Sequence, residues 1–136
     1  MEIIYEVTGD TLTAQLMGEL DHHAAAKVRS EIDDTMDSYG AKNLIFDFSK
    51  VTFMDSAGIG VVLGRYKRLQ AVEPSVAASA AASAAGQKDE AGSVVITGCS
   101  QKIYSILHMA GIFSLMKYTE TKEEAVTYLY GRKEVC

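Results

Sequence analysis

Four times along this chain of 136 residues, a short strand-like run is followed within a few residues by apolar side chains at helical spacing. These runs begin near residues 12, 43, 93 and 113. Such alternation predicts a sheet that is parallel in its later part, with helices covering at least one face. A hairpin precedes it, because residues 2–7 are also strand-like and the turn sequence TGDT follows them. The predicted order is β-β-α-β-α-β-α-β-α, which describes a single α/β domain with a mixed sheet and about four helices.

The helix boundaries carry recognisable capping residues. Asp21 is placed to begin a helix over about 22–38, and Gly40 is placed to end it. Ser100 is predicted to cap a helix that Gly111 closes, and Thr121 with Glu124 forms a capping box for a last helix that runs to about residue 130.

The helix predicted after residue 56 has a clear apolar stripe. Ile59, Val62, Leu63, Tyr66 and Leu69 follow helical spacing. Because the three basic residues of this segment fall largely off the stripe, we expect them on the solvent side: Arg65, Lys67 and Arg68.

One segment interrupts the pattern. Residues 71–92 contain the only proline of the chain and a run of Ala and Ser. This composition buries too little area to build a core, and structureless connections of this length are uncommon in compact domains. We therefore expect a flexible surface insertion within one domain spanning residues 1–136.

Composition and charge exclude several classes of function. The net charge of −5 argues against a nucleic-acid binder, which usually presents a basic face. The two cysteines, Cys99 and Cys136, form no disulfide framework. No apolar run approaches the roughly 18 residues that a membrane span needs, and the acidic, strand-like N-terminus is unlike a signal peptide. We expect a cytoplasmic monomer that contacts no membrane.

The junction FMDSAGIG, residues 53–60, holds the most informative serine. A nucleophile elbow needs glycine two positions before Ser56, where Met54 stands instead. The glycines give G-x-G-x-x-x-G rather than the dinucleotide pattern, and no G-K-[ST] is present for a phosphate-binding loop. Because His22 and His23 are adjacent, they point about 100° apart on a helix, which is poor geometry for one metal ion. We expect no metal and no cofactor.

Ser56 falls in or just before the first turn of a helix. Free main-chain N–H groups at a helix start favour an anion, so a phosphate on Ser56 would be tolerated there. It would add about −1.5 to −2 charge beside Asp55. Without it, the turn is small, and Gly58 and Gly60 would let another backbone approach closely. The alternative, that Ser56 only caps the helix and the glycines only pack, stays open from the residues alone.

Three separated motifs resemble one family. GELDHH at 18–23, FMDSAGIGVVLGRYK at 53–67 and MAGIF at 109–113 are similar to the STAS-domain anti-sigma factor antagonists, in particular the sporulation type. The resemblance implies the STAS fold and a switch rather than an enzyme. It further implies that the unphosphorylated form binds an anti-sigma factor that is also a serine kinase, which frees a sigma factor. The kinase inactivates the antagonist, and a serine phosphatase restores it.

The resemblance also implies the site residues. Ser56 is the implied phosphate acceptor, and Ala57 stands where close relatives carry a second serine. The implied contacts to the partner are Asp21, His22, Asp55, Ser56, Ala57, Gly58, Ile59 and Gly60. Two other hypotheses remain: a STAS module that senses a nucleotide or an anion at this turn or acts as a signalling scaffold, and self-association through the Ala/Ser insertion.

Overall fold

The computed structural model describes residues 1–70 and 92–135. The strands are β1 (Glu2–Thr8), β2 (Thr11–Leu20), β3 (Asn43–Met54), β4 (Val94–Thr97) and β5 (Lys117–Thr119). The helices are α1 (His22–Tyr39), α2 (Ser56–Gln70), α3 (Gln101–Met109) and α4 (Lys122–Val135), with a 3-10 turn at Ile112–Ser114. This order confirms the predicted one. The predicted insertion, apart from Gly92, lies outside the described residues.

The five strands form one mixed sheet in the order β1-β2-β3-β4-β5. The β1–β2 hairpin is antiparallel and turns at Gly9, whose φ is +58°. The other neighbours pair in parallel. Strand β3 is long, because register shifts against β2 let pairing continue as far as Leu20 with Met54.

Helices cover the two faces of the sheet unequally. The larger core lies between the sheet and the helices α1, α2 and α3, and it includes Phe46, Ile32, Val62 and Leu107. On the other face, α4 packs over a small apolar cluster of Ile45, Val95, Ala125 and Leu129. This division follows from strand alternation, since Phe46 and Ile45 are adjacent and point to opposite faces.

The predicted caps are confirmed. The Asp21 carboxylate accepts hydrogen bonds from the N–H groups of His23 and Ala24 at 3.0 and 3.1 Å, and α1 ends at Gly40 in the left-handed conformation with φ of 63°. The Ser100 hydroxyl caps α3 by accepting from the Ile103 N–H at 3.3 Å.

The capping box of α4 is also present. The Thr121 N–H donates to the Glu124 carboxylate at 3.1 Å, and the Glu124 N–H donates to the Thr121 hydroxyl at 3.2 Å. This helix continues past the predicted end near residue 130 to Val135.

The prediction for Arg65 is wrong. Its side chain is buried between α1 and α2, and the residue is only 6% exposed. The Arg65 Nε lies 2.8 Å from Asp33 Oδ1 without hydrogen-bond alignment, and Nη1 has no partner among the described residues. Arg68 extends the network to Asp33 and to Asp37, which it contacts at 2.8 Å. A complementary acid on α1 therefore determined the burial, and the apolar stripe of α2 could not reveal it.

The end of α2 is hydrogen-bonded to Gly92, which lies just before β4. The Gly92 N–H donates to the Leu69 carbonyl at 3.1 Å, and the Gln70 side chain donates to the Gly92 carbonyl at 2.5 Å. The two sides of residues 71–91 are thus joined at the end of α2, opposite to the end that carries Ser56. In the described parts of the chain, no helix has the length and apolar character needed to cross a bilayer.

Candidate functional site

The helices α1 and α2 begin side by side. They follow β2 and β3, which are parallel neighbours paired as far as Leu20 with Met54. The Asp55 N–H donates to the Leu20 carbonyl at 3.4 Å, so the two strand ends stay together as the chain leaves the sheet. Asp21 and Asp55, far apart in sequence, therefore meet at one end of the sheet.

The Asp55 carboxylate connects the two helix starts. Its Oδ1 accepts hydrogen bonds from the N–H groups of Ala57 and Gly58, at 2.9 and 3.3 Å. Its Oδ2 accepts one from the His22 N–H at 3.1 Å. Burial raises the pKa of Asp55, but the backbone hydrogen bonds from Gly58, His22 and Ala57 outweigh it and hold that pKa below its ordinary value. Asp55 is thus an ionised cap shared by α1 and α2.

Ser56 is the first residue of α2 and is exposed. Its hydroxyl makes no hydrogen bond to a described residue, and the capping is done by Asp55. The idea that Ser56 serves only as a cap is therefore wrong. Two of the N–H groups expected to be free for an anion, those of Ala57 and Gly58, already donate to the Asp55 carboxylate.

The two glycines of this turn have different surroundings. A Cβ on Gly58 would lie 2.7 Å from the Leu20 carbonyl oxygen and 2.7 Å from Met54 Cγ, so the close backbone approach there is within this chain. A Cβ on Gly60 would meet nothing within 4 Å. Between them, Ile59 packs partly against the core. Only Gly60 leaves space for an approaching molecule.

His22 and His23 are exposed residues in the first turn of α1. Their ring centroids are 4.0 Å apart, and the His22 Nδ1 lies 3.6 Å from Asp55 Oδ2. His22 therefore contacts the cap rather than Ser56. Within residues 1–70 and 92–135, no group of three or more His, Cys, Asp or Glu residues could hold a metal ion.

The third histidine, His108, and the cysteine Cys99 lie outside this group of residues. His108 is on α3, stacked on Tyr104 with a centroid distance of 6.1 Å. Cys99 is half-buried, and burial raises the pKa of its thiol to about 12, with Asp47 and Glu120 adding to the effect. At neutral pH this thiol is protonated and a poor nucleophile.

Of the residues implied by the resemblance, the structure brings all eight to this end of the sheet. Gly58 is buried, whereas His22, Ser56 and Gly60 are exposed and the others are intermediate. Sequence reasoning missed Phe53, which is 39% exposed although it lies in β3. Its alternation with the buried Met54 was the available signal, because adjacent strand residues point to opposite faces.

Comparison with known proteins gives a consistent result. Residues 2–80 match the model of the STAS domain. The chain is 26% identical over 129 residues to the anti-sigma F factor antagonist of Paenibacillus polymyxa, which covers 95% of each chain. It is 41% identical over 66 residues to the anti-sigma F factor antagonist of Lysinibacillus sphaericus, which covers 48% of this chain and 56% of that one.

Solved structures show the same similarity. The unphosphorylated form of the anti-sigma factor antagonist SpoIIAA aligns with a TM-score of 0.64 and 27% identity, over 96% of this chain and 99% of that one. The phosphorylated form of the Bacillus cell fate determinant SpoIIAA aligns with a TM-score of 0.61 and 28% identity, over 94% and 99%.

Proposed function

Because the chain belongs to the STAS domain family and is similar along nearly its whole length to anti-sigma F factor antagonists, we propose that it is an anti-sigma factor antagonist. In its unphosphorylated form it binds an anti-sigma factor and so releases a sigma factor. The observation that carries this proposal is the exposed Ser56 hydroxyl, free of any capping role, beside the cap that joins α1 and α2. The chain acts as a cytoplasmic monomer and a regulator rather than an enzyme.

The partner contacts the convergent helix starts. Asp21 and Asp55 hold this surface in shape through their hydrogen bonds to the two first turns. His22 and Ser56 project from it. The open space at Gly60 lets the partner approach the helix backbone closely.

Phosphorylation at Ser56 switches binding off. Since Asp55 already uses the N–H groups of Ala57 and Gly58, the phosphate gains no ready-made donors from them. It adds about −1.5 to −2 charge next to an ionised carboxylate and extends toward solvent, where the partner would pack. The switch therefore works by charge and bulk at the interface and needs no change of fold. The similarity of this chain to both forms of SpoIIAA supports that view.

The partner supplies the chemistry of the transfer. The γ-phosphoryl group of ATP passes to the Ser56 oxygen, the bond to the leaving ADP breaks, and the hydroxyl proton goes to a base. Asp55 is poorly suited to be that base, because its low pKa makes it a weak proton acceptor and both its oxygens already accept hydrogen bonds. The base and the metal-bound ATP belong to the kinase. A serine phosphatase later hydrolyses the exposed phosphoserine.

Site mapping tests the proposal. The full chain is incubated with ATP and the anti-sigma F factor of the organism that encodes it, and the products are mapped by mass spectrometry. We expect one phosphate, on Ser56, and none on Ser56→Ala. Ser105→Ala, which changes an exposed serine on α3, is the matched control and should be phosphorylated like the wild type. Phosphate on another residue, with Ser56 unmodified, would disprove the site.

A further inference from the structure

No large apolar side chain is exposed among the eight residues around Ser56, because Ile59 packs partly against the core. The exposed members of this surface are polar or small: His22, Ser56 and Gly60. Protein interfaces obtain most of their binding energy from a few aromatic or aliphatic side chains that become buried near the centre. A surface of polar and small residues can match the shape and charge of a partner. We expect the binding energy to come from apolar side chains beside it.

The second face of the sheet is left partly open close to this surface. Helix α4 crosses that face, and its contacts to the hairpin include Lys122 to the Glu6 carboxylate at 3.0 Å and Tyr130 to the Thr8 carbonyl at 2.6 Å. Beneath the helix the strand residues are buried, as Thr13 is at 4% exposure. Beyond it, no described element covers the ends of β2 and β3 that lead to α1 and α2.

Three apolar side chains form a diagonal across this open part. Phe53 of β3 pairs with Glu19 of β2, and Met17 lies two residues before Glu19 on the same face. Met17 pairs with Glu2 of β1, and Ile4 lies two residues after Glu2. Across the antiparallel β1–β2 pair, diagonal neighbours such as Met17 and Ile4 lie about 7–8 Å apart, within reach of long side chains. Phe53, Met17 and Ile4 are called the sheet-face ridge below.

The ridge is exposed and continuous with the Ser56 surface. Phe53 is 39% exposed and Ile4 is 55% exposed, while Met17 is half-buried. Phe53 is separated from Asp55 only by the buried Met54, so it stands at the edge of the helix-start surface. Carboxylates flank the Phe53 end of the ridge at Glu19 and Asp55, whereas the exposed Lys50 pairs with Met17 on the same face.

We propose that the sheet-face ridge is the apolar anchor of the anti-sigma factor interface, with Phe53 as its central residue. The matching region of the partner is an apolar side chain with a basic side chain placed toward Glu19 and Asp55, because these carboxylates adjoin Phe53 in a chain of net charge −5. This inference rests on the proposed function. It extends the interface from the helix starts onto the second face of the sheet.

An exposed apolar residue away from the ridge serves as the control. Leu115 is 51% exposed. Leu115 precedes the first residue of β5, which is parallel to β4, so it lies at the end of the sheet opposite to Ser56. Replacing Leu115 by serine removes exposed apolar surface, as Phe53→Ser does, and leaves the ridge unchanged.

The experiment measures affinity for the unphosphorylated chain by calorimetry, with the anti-sigma F factor of the encoding organism as the probe. The variants are Phe53→Ser, Met17→Ser, Phe53→Leu, Leu115→Ser and Ser56→Asp, each checked for cooperative unfolding. We expect Phe53→Ser to weaken binding by at least about tenfold, Met17→Ser to weaken it less, and Phe53→Leu to restore most of it. Leu115→Ser should bind like the wild type.

The results distinguish failure of the ridge from failure of the proposed function. Wild-type affinity for folded Phe53→Ser and Met17→Ser, with weak binding by Ser56→Asp, would overturn the ridge and leave the proposed function standing. Absence of binding by the wild-type chain would overturn the proposed function itself. If Phe53→Ser fails to fold, Met17→Ser decides, because it lies one strand away from the Ser56 turn.

Discussion

The carboxylate of Asp55 accepts a hydrogen bond from the main-chain N–H of His22 at 3.1 Å, and in this way the start of α2 holds the start of α1. The same carboxylate caps its own helix through Ala57 and Gly58. One side chain therefore shapes both halves of the surface that we assign to the anti-sigma factor.

Acid should weaken this connection. The pKa of Asp55 in the folded chain is below its ordinary value of 3.8, so folding favours the ionised form. Stability from such a group is fully present above the unfolded pKa and is lost as the pH falls through the folded one. Urea unfolding of wild type and Asp55→Asn should show a constant wild-type advantage above about pH 5 that shrinks below about pH 4. Asp34→Asn, at an exposed position of α1, is the control. An advantage for Asp55 that persists unchanged to pH 3 would contradict the connection.

The two glycines of the turn should respond in opposite ways to alanine. Gly58→Ala places a Cβ 2.7 Å from the Leu20 carbonyl oxygen, and we expect a loss of about 1–3 kcal/mol in the free energy of unfolding. Gly60→Ala meets nothing within 4 Å and should gain about 0.5–1 kcal/mol, because alanine is the better helix former. Chemical denaturation measures both.

Measuring the affinity for the anti-sigma factor tests the role of Gly60 further. Gly60→Ala should weaken binding of the anti-sigma factor although it stabilises the chain, since the added methyl group occupies space that the partner needs. Equal stability changes for the two variants, or unchanged binding by Gly60→Ala, would show that the assignment of these glycines is mistaken.

Local rules predicted much of this fold. The order of elements, the hairpin and the caps at Asp21, Ser100 and Thr121 were correct, because each depends on residues close in sequence. The sequence also singled out Ser56 at a helix start. What failed depends on contacts across the chain. Asp33 on α1 explains the burial of Arg65, and no pattern within α2 could show it.

The same distinction applies to the site. Reasoning on α2 alone predicted free N–H groups at its start, whereas Asp55 occupies two of them and also reaches α1. At Gly58, the close approach of another backbone is made by Leu20 of this chain. Both facts follow from the pairing of Leu20 with Met54, which brings residues distant in sequence together.

The buried ion pair between α1 and α2 gives a matched comparison. Asp33→Ala leaves the buried Arg65 guanidinium with less compensation, and we expect a loss of about 3 kcal/mol in the free energy of unfolding. Asp37→Ala removes an acid whose side chain is 64% exposed, and the loss should stay below about 1 kcal/mol. Thermal or urea unfolding of both variants tests this. Similar losses would mean that burial of Arg65 has little energetic consequence.

Residues 71–91 should be dispensable for folding. Since the Gly92 N–H bonds the Leu69 carbonyl, a linker of a few glycine and serine residues from Gln70 to Gly92 can replace them. We expect the shortened chain to unfold cooperatively, bind the anti-sigma factor with unchanged affinity and remain monomeric by light scattering. A decrease in the number of chains per particle on deletion would instead support self-association through this segment. Loss of cooperative unfolding would refute the single-domain description.

Control of binding by the Ser56 phosphate is tested by comparing the same chain in two states. Calorimetry measures the affinity of the anti-sigma F factor for the unphosphorylated chain and for the same chain fully phosphorylated at Ser56. Because the phosphate places a like charge beside Asp55 within a close contact, we predict that binding weakens by about a hundredfold or more. Equal affinities of the two states would contradict control of binding by phosphorylation at Ser56.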